Sequence, residues 1–282
     1  MKEIKRKTLL YRSGVEGAGY CINHIEGCSH GCKFPCYAMI MKKRCGKIKD
    51  YNDWIRPKLV GNALELLNKE LPRLKDRIKV VHLCFTTDPF MYKQPDVISL
   101  TLKIIERLNQ ENIKCIVLTK GVYPEQLIDI QRYEENNEYG ITLISIDEDF
   151  KKRMEPYAAS YAERIKSLKF LHKKGFKTWV SMEPYPTPNL VEQNLSEILE
   201  KINFVDKIIF GKLNYNFQSA QFPGNRDFYQ KHADMVKSFC EDSRIECHIR
   251  YGTSERDDRK IGDTLKKEDK IRKLGGILPV PI

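Results

Sequence analysis

Short runs rich in β-branched residues alternate along this chain with longer stretches whose apolar positions recur three and four residues apart. The runs predict strands at Tyr20–Glu26, Lys79–Phe85, Cys115–Thr119, Ile141–Ile146, Lys177–Met182 and Lys207–Gly211, with a further one at Glu246–Tyr251. VVHLCF and CIVLT are nearly continuous apolar runs, the pattern of parallel strands covered on both faces. Between the strands, Leu59–Lys69, Val97–Gln110, Ala158–Lys174 and Leu190–Ile202 carry helical periodicity, and Gly175 is a natural stop for the third of these. Alternation of this kind builds βαβ units around a parallel sheet. The expected fold class is therefore α/β, a partial (β/α)6-type TIM barrel with a C-terminal extension, and the loops after the strand C-terminal ends are where chemistry is expected.

The core is expected over 1–212, including a basic N-terminal arm. An extension over 213–282 packs on it, because LNYNFQSAQFPGNRDFY (213–229) breaks the alternation, 252–273 is dense in both charge signs, and the chain closes on a short ILPVPI tail. No internal repeat or long flexible linker separates a second domain. The balance of 41% hydrophobic and 31% charged residues excludes a wholly disordered or fibrous chain. No apolar run approaches the ~18 residues of a membrane span, and the basic N-terminus lacks the apolar core of a signal peptide, so a cytoplasmic protein with no membrane partner is expected.

Nine cysteines in a reducing compartment argue against a disulfide framework. The informative cluster is GCSHGCKFPCYA, residues 27–38, placed directly after the first expected strand. Cys28, Cys32 and Cys36, each separated by three residues, can converge on one metal centre, with Gly27 and Gly31 allowing tight turns. Three ligands leave one iron of a [4Fe–4S] cluster open. A structural zinc site, completed by His30 or Cys45, is the alternative. Cys84, Cys115, Cys240 and Cys247 read as core packing, and Cys21 and Cys45 as undecided.

The cluster loop resembles that of the radical S-adenosylmethionine (SAM) enzymes, and more narrowly their spore photoproduct lyase-like branch, whose members carry a similar GCxHxC…CYA segment. The usual family spacing is three residues and then two, whereas Phe34-Pro35 widens the second interval here to three. The likeness continues through LCFTTDPF (83–90), IVLTKG (116–121), Ser145 and MEPYAASYAERIKSLKFLHKKG (154–175), in the same order.

The resemblance implies an enzyme with a [4Fe–4S] cluster on Cys28, Cys32 and Cys36, SAM as second cofactor, and an electron donor such as flavodoxin or ferredoxin. Reductive cleavage of SAM would yield a 5′-deoxyadenosyl radical that takes a hydrogen atom from the substrate. It also implies cofactor-binding roles. Tyr37 covers the adenine or ribose, or is a core tyrosine. Thr86, Thr87 and Asp88 hold the SAM ammonium. Lys120 and Ser145 meet the carboxylate and ribose region, unless Lys120 is a solvated loop residue. Arg164 clamps a carboxylate, or forms an ordinary ion pair with Glu155, and Glu183 is a further candidate. The strand cysteine with which spore photoproduct lyases return a hydrogen atom aligns with Phe85, and Cys84 beside it points to the opposite face of a regular strand. Thymine-dimer repair is therefore not carried over.

Charge bears on the substrate. The chain carries a formal +11, and residues 1–60 hold 13 Lys and Arg against 5 Asp and Glu. Lys42, Lys43, Arg44, Lys47 and Lys49 follow the cluster loop, and the extension offers Tyr215, Phe217, Phe222, Phe228 and Tyr229 near Arg226. Aromatic and basic residues together suit a nucleic-acid base or nucleotide. The cations also suit an anionic cluster. A peptide or protein substrate, a small molecule, and a non-catalytic zinc or iron–sulfur nucleic-acid-binding module remain as other readings.

Overall fold

A computed structural model describes residues 1–13 and 19–254. The charged stretch beyond Ser254 and the ILPVPI tail lie outside the described residues. In chain order the strands are β1 (Lys2–Ile4), β2 (Leu10–Arg12), β3 (Tyr20–Ile22), β4 (Ile25–Glu26), β5 (Lys58–Val60), β6 (Val80–Leu83), β7 (Lys114–Thr119), β8 (Glu138–Thr142), β9 (Lys177–Tyr185), β10 (Lys207–Lys212) and β11 (Glu246–Ile249). The helices are α1 (Tyr37–Arg44), α2 (Tyr51–Trp54), α3 (Ala63–Leu74), α4 (Pro95–Asn109), α5 (Glu148–Met154), α6 (Tyr161–Lys173), α7 (Leu195–Lys201), α8 (Phe217–Ala220) and α9 (Asn225–Ser243).

The large sheet has the order β11-β10-β9-β8-β7-β6-β3-β2. All its neighbours pair in parallel except β2, which runs antiparallel to β3 and closes one edge. The two ends of the sheet do not pair with each other. This is the expected partial barrel. β3, β6, β7, β8, β9 and β10 supply its six core strands, and β11 prolongs the sheet from beyond residue 212. The central strands alternate apolar side chains inward and outward under helices; Val81, Cys115, Val117, Tyr139, Ile141 and Val180 are fully buried.

Several elements differ from the periodicity reading. The run Tyr20–Glu26 is two strands in two sheets. At Asn23 the chain leaves β3, His24 turns inward with Nε2 2.8 Å from Thr101 Oγ1, and β4 then pairs antiparallel with β5 in a small sheet ordered β1-β5-β4. Leu59 and Val60, expected to open a helix, are strand residues, Leu59 paired with both β1 and β4 and Val60 with β1, and α3 begins only at Ala63. The fourth core strand lies earlier than its apolar run suggested, at 138–142 rather than 141–146. Gly140 is there because the Trp179 ring lies across it; a Cβ would sit 2.3 Å from that ring. Leu143 and Ile144 are buried beyond the strand end, which accounts for the misleading run. Helix α6 starts on a full capping box, Ser160 with Glu163.

Candidate active site

The cluster loop is shaped by its glycines and by what lies beneath it. Gly27 (φ +86°) and Gly31 (φ +59°) are both left-handed, and a Cβ would lie 2.7 Å from Trp54 O at the first and 2.6 Å from Tyr51 Oη at the second. Cys28 N–H donates to Trp54 O at 2.9 Å, Tyr51 Oη donates to Gly31 O at 2.7 Å, and Lys33 N–H donates to Met154 O at 2.8 Å. Cys36 is the N-cap of α1, where the first-turn amides of Met39 and Ala38 favour negative charge on its sulfur.

Cys28, Cys32 and Cys36 line one wall of a cleft of about 300 Å³ at the C-terminal ends of the parallel strands. Burial pushes all three thiols up, Cys28 well above its usual range and Cys32 to about 12. The Asp88 charge and the neighbouring sulfurs add to the rise at Cys28. Three half-buried thiols of this kind are poor anions alone, and an electropositive centre between them removes the penalty. The donor set thus fits an iron–sulfur centre. Among the described residues no group of three or more His, Cys, Asp or Glu is arranged for a single metal ion. Neither expected fourth zinc ligand is delivered: Cys45 is exposed at the far end of α1, and His30 Nε2 accepts the Tyr92 N–H at 2.9 Å. That bond leaves the proton on His30 Nδ1, 3.4 Å from Asp88 Oδ2, and burial lowers the imidazole pKa to about 4, so His30 is neutral.

Tyr37, Thr86, Thr87, Asp88, Lys120 and Glu183 are brought to the same cleft. The Asp88 carboxylate is already committed: Oδ1 accepts from Thr119 Oγ1 at 2.6 Å and Phe90 N–H at 2.9 Å, and Oδ2 accepts from Lys120 N–H at 2.7 Å. Asp88 ties the end of β6 to the end of β7, while the Thr86 and Thr87 side chains remain half-buried at the cleft. The Lys120 ammonium meets the buried carboxylate of Glu155 and lies 5.3 Å from the Phe34 ring centroid. Burial opposes its charge, but Glu155 and Cys32 outweigh burial and raise its pKa.

Two expected residues are not in the cleft lining. Ser145 is fully buried beyond β8, where its Oγ accepts the Asp147 N–H at 3.0 Å. Arg164 is fully buried behind Glu155. It donates to Glu155 Oε2 at 2.5 Å, to Thr142 O at 2.9 Å and to Ala159 O at 3.1 Å, so its pair is a buried structural one, neither a clamp on an open site nor a surface pair. Cys84 has a left-handed backbone (φ +58°), and its sulfur lies 3.5 Å from His24 Nδ1, behind the cleft, while Phe85 faces it. Of the aromatics in the extension, Tyr215 and Phe217 are exposed, but Tyr229 is buried with its hydroxyl on Tyr185 O at 2.8 Å, and Phe228 packs on His232.

Arg250 and Lys212 escaped the sequence reading. Arg250 follows β11, and its Nε donates to Glu183 Oε2 at 3.0 Å across the end of β10. Gly211 makes room for this pair: a Cβ there would lie 2.9 Å from Glu183 Cδ and 3.0 Å from Arg250 Cγ. Burial raises the Glu183 pKa, and Arg250 counteracts it. Only the glycine carried a local signal.

The model of the radical SAM superfamily matches residues 22–202, and the chain belongs to that superfamily. Its cofactors are accordingly a [4Fe–4S] cluster and SAM. An uncharacterized protein of Methanocaldococcus jannaschii is 27% identical over 228 residues, covering 80% of this chain and 80% of that one. An uncharacterized protein of Acidianus two-tailed virus is 25% identical over 193 residues, covering 65% of this chain and 62% of its own length. Among solved structures, spore photoproduct lyase complexed with dinucleoside spore photoproduct matches with a TM-score of 0.63 at 15% identity, covering 88% of this chain and 80% of that one. A variant of the same lyase with bound AdoMet and dinucleoside spore photoproduct gives a TM-score of 0.64 at 14% identity, with the same coverage. These structures share the partial-barrel fold.

Proposed function

We propose that this chain is a radical SAM enzyme whose cluster sits on Cys28, Cys32 and Cys36 and whose substrate is a nucleic-acid base or nucleotide, repaired or modified. The observation that carries the reading is the convergence of three half-buried thiols, the Thr86–Thr87 segment, Lys120 and the Glu183–Arg250 pair on one cleft at the strand C-terminal ends. When bound, the cluster supplies an electron and SAM the radical that takes a hydrogen atom.

The chain's own residues do the rest. The first-turn amides of α1 at Ala38 and Met39 and the Lys120 ammonium lower the cost of thiolate charge at Cys36. Thr86 and Thr87 present acceptors to the SAM ammonium, with Asp88 fixing their position. Tyr37 lines the cleft and would cover the adenine of bound SAM. Glu183, held by Arg250, would offer its carboxylate to bound SAM. Phe34, Trp54, Phe85 and Leu118 line the cleft with apolar surface that keeps water and stray hydrogen donors out.

The nucleic-acid substrate is supported by the +11 charge, by the exposure of Lys43, Arg44, Lys47 and Lys49, and by fold likeness to a lyase solved with a dinucleoside. Phe85 in place of a thiol argues for a reaction other than that lyase's own. An electron donor of the flavodoxin or ferredoxin type is part of the proposal. Among the described residues no helix is long and apolar enough to cross a membrane.

Anaerobic reconstitution with iron and sulfide, followed by dithionite and SAM, should give a brown protein that forms 5′-deoxyadenosine. Cys32→Ala should abolish both colour and product. A reconstituted wild type that takes up no cluster, or holds one without cleaving SAM, would sink the reading.

A further inference from the structure

A second cavity, of about 510 Å³, opens between the N-terminal arm and α1, and Thr86 lines both it and the cleft. Four cations surround it: Lys5 and Arg6 from the arm, and Lys42 and Lys47 from α1 and the turn after it. One carboxylate, Glu26, sits among them, 3.4 Å from Arg6 Nη2 and 3.8 Å from Lys42 Nζ, so the groove keeps a positive excess.

The groove is built rather than incidental. The Arg6 backbone is clamped by Asn62, whose Oδ1 accepts Arg6 N–H at 3.0 Å and whose Nδ2 donates to Arg6 O at 2.9 Å. Arg6 Nη1 donates to Asn23 O at 2.6 Å. Asn23 is also the wall between the two cavities: its Nδ2 donates to Tyr11 Oη on the groove side, and its Oδ1 accepts Thr86 N–H at 3.2 Å on the cleft side. Tyr11 is 40% exposed, enough to offer its ring to a base.

We propose that this groove binds the phosphodiester backbone of a single nucleic-acid strand and feeds a base past Thr86 into the cleft. The proposal rests on the nucleic-acid reading above and assigns it a surface. A concave channel with cations on both sides and an aromatic ring between them fits a thin polyanion, held by phosphate contacts and stacking, better than the convex face of an acidic protein.

The test is fluorescence anisotropy of the reconstituted protein with a labelled single-stranded oligodeoxynucleotide and its RNA counterpart, over a salt series. Lys5→Gln and Lys47→Gln alter exposed side chains, and circular dichroism verifies their folding. Each should weaken binding several-fold and lower the slope of log K against log salt by about 0.7, the increment of one phosphate contact on a single strand. Lys47→Arg should bind like the wild type. Unchanged affinity and slope in both Gln variants would overturn the groove, as would a wild type that cleaves SAM but binds neither oligonucleotide. Slower reduction by flavodoxin with oligonucleotide binding intact would assign the surface to an acidic electron donor and also overturn it. A wild type that binds the strand in this salt-dependent way but cannot cleave SAM would overturn the cluster reading and leave the groove standing.

Discussion

Arg164 holds Glu155 from behind at 2.5 Å, and Glu155 in turn holds Lys120 at the cleft, so one fully buried carboxylate links a structural arginine to a site lysine. Burial alone would raise the Glu155 pKa, but the two cations outweigh it and bring it to about 2. Removing one partner of a buried ion pair costs up to about 3–5 kcal/mol, and without Arg164 the buried carboxylate keeps Lys120 as its cation. Arg164→Met should therefore lower the melting temperature markedly at neutral pH and also loosen Lys120. A calorimetric scan with no shift would refute this. Because the folded Glu155 pKa lies below the unfolded one, its contribution is complete above about pH 4.5 and is lost as pH falls toward 2.

The buried imidazoles act over a higher window. Burial lowers His30 to about 4 and His24 to about 3, from an ordinary value near 6.5. The unfolded chain takes up protons below pH 6.5 that the folded chain refuses, so stability is full above that pH and declines between about 6.5 and 3. Urea denaturation across this range should show the decline, and His24→Gln should flatten it. A profile for His24→Gln as steep as the wild type's would remove His24 from the account.

The nine cysteines should separate by reactivity in the apo protein. Cys45 is exposed, and the half-buried Cys247 has its thiolate favoured by a hydrogen bond from Cys240. Cys21, Cys84 and Cys115 are buried, with Cys84 pushed up to about 12. Timed alkylation read by mass spectrometry should label Cys45 and Cys247 first and Cys84 late. Early labelling of Cys84 would place its thiol in the cleft and reopen it as a hydrogen-atom donor.

Gly211 tests the far wall. Gly211→Ala puts a methyl group into the Glu183–Arg250 pair, and the pair must give way. SAM affinity measured by titration calorimetry should fall roughly tenfold, about 1.4 kcal/mol, with the cluster retained. Unaltered SAM affinity would remove Glu183 from the SAM site.

The cluster loop and the order of the core strands were legible because each is written in contiguous residues: GCSHGCKFPCYA in one stretch, and each parallel strand in its own apolar run. What escaped lies between segments. Arg250 reaches Glu183 from 67 residues away, and Asn23 joins groove to cleft through Thr86 across 63 residues. No periodicity encodes such meetings. Arg164 shows the reverse failure. Its place in a Glu-Pro…Arg segment marked it as a site residue, whereas its position within α6 turns it inward onto Glu155. Ser145 was misplaced for a plainer reason, a strand assigned too far along an apolar run.

Helix α1 begins on Cys36, a proposed iron ligand, and ends in Lys42, Lys43 and Arg44, beside the groove. On the proposed reading one short helix connects the iron centre to the groove, and binding at the two would be thermodynamically linked. Oxidative loss of iron would unfasten the helix at its first turn and weaken the grip on the strand. By reciprocity, a bound strand would slow the release of iron to a chelator, which would make the nucleic acid a guardian of the cluster as well as its target.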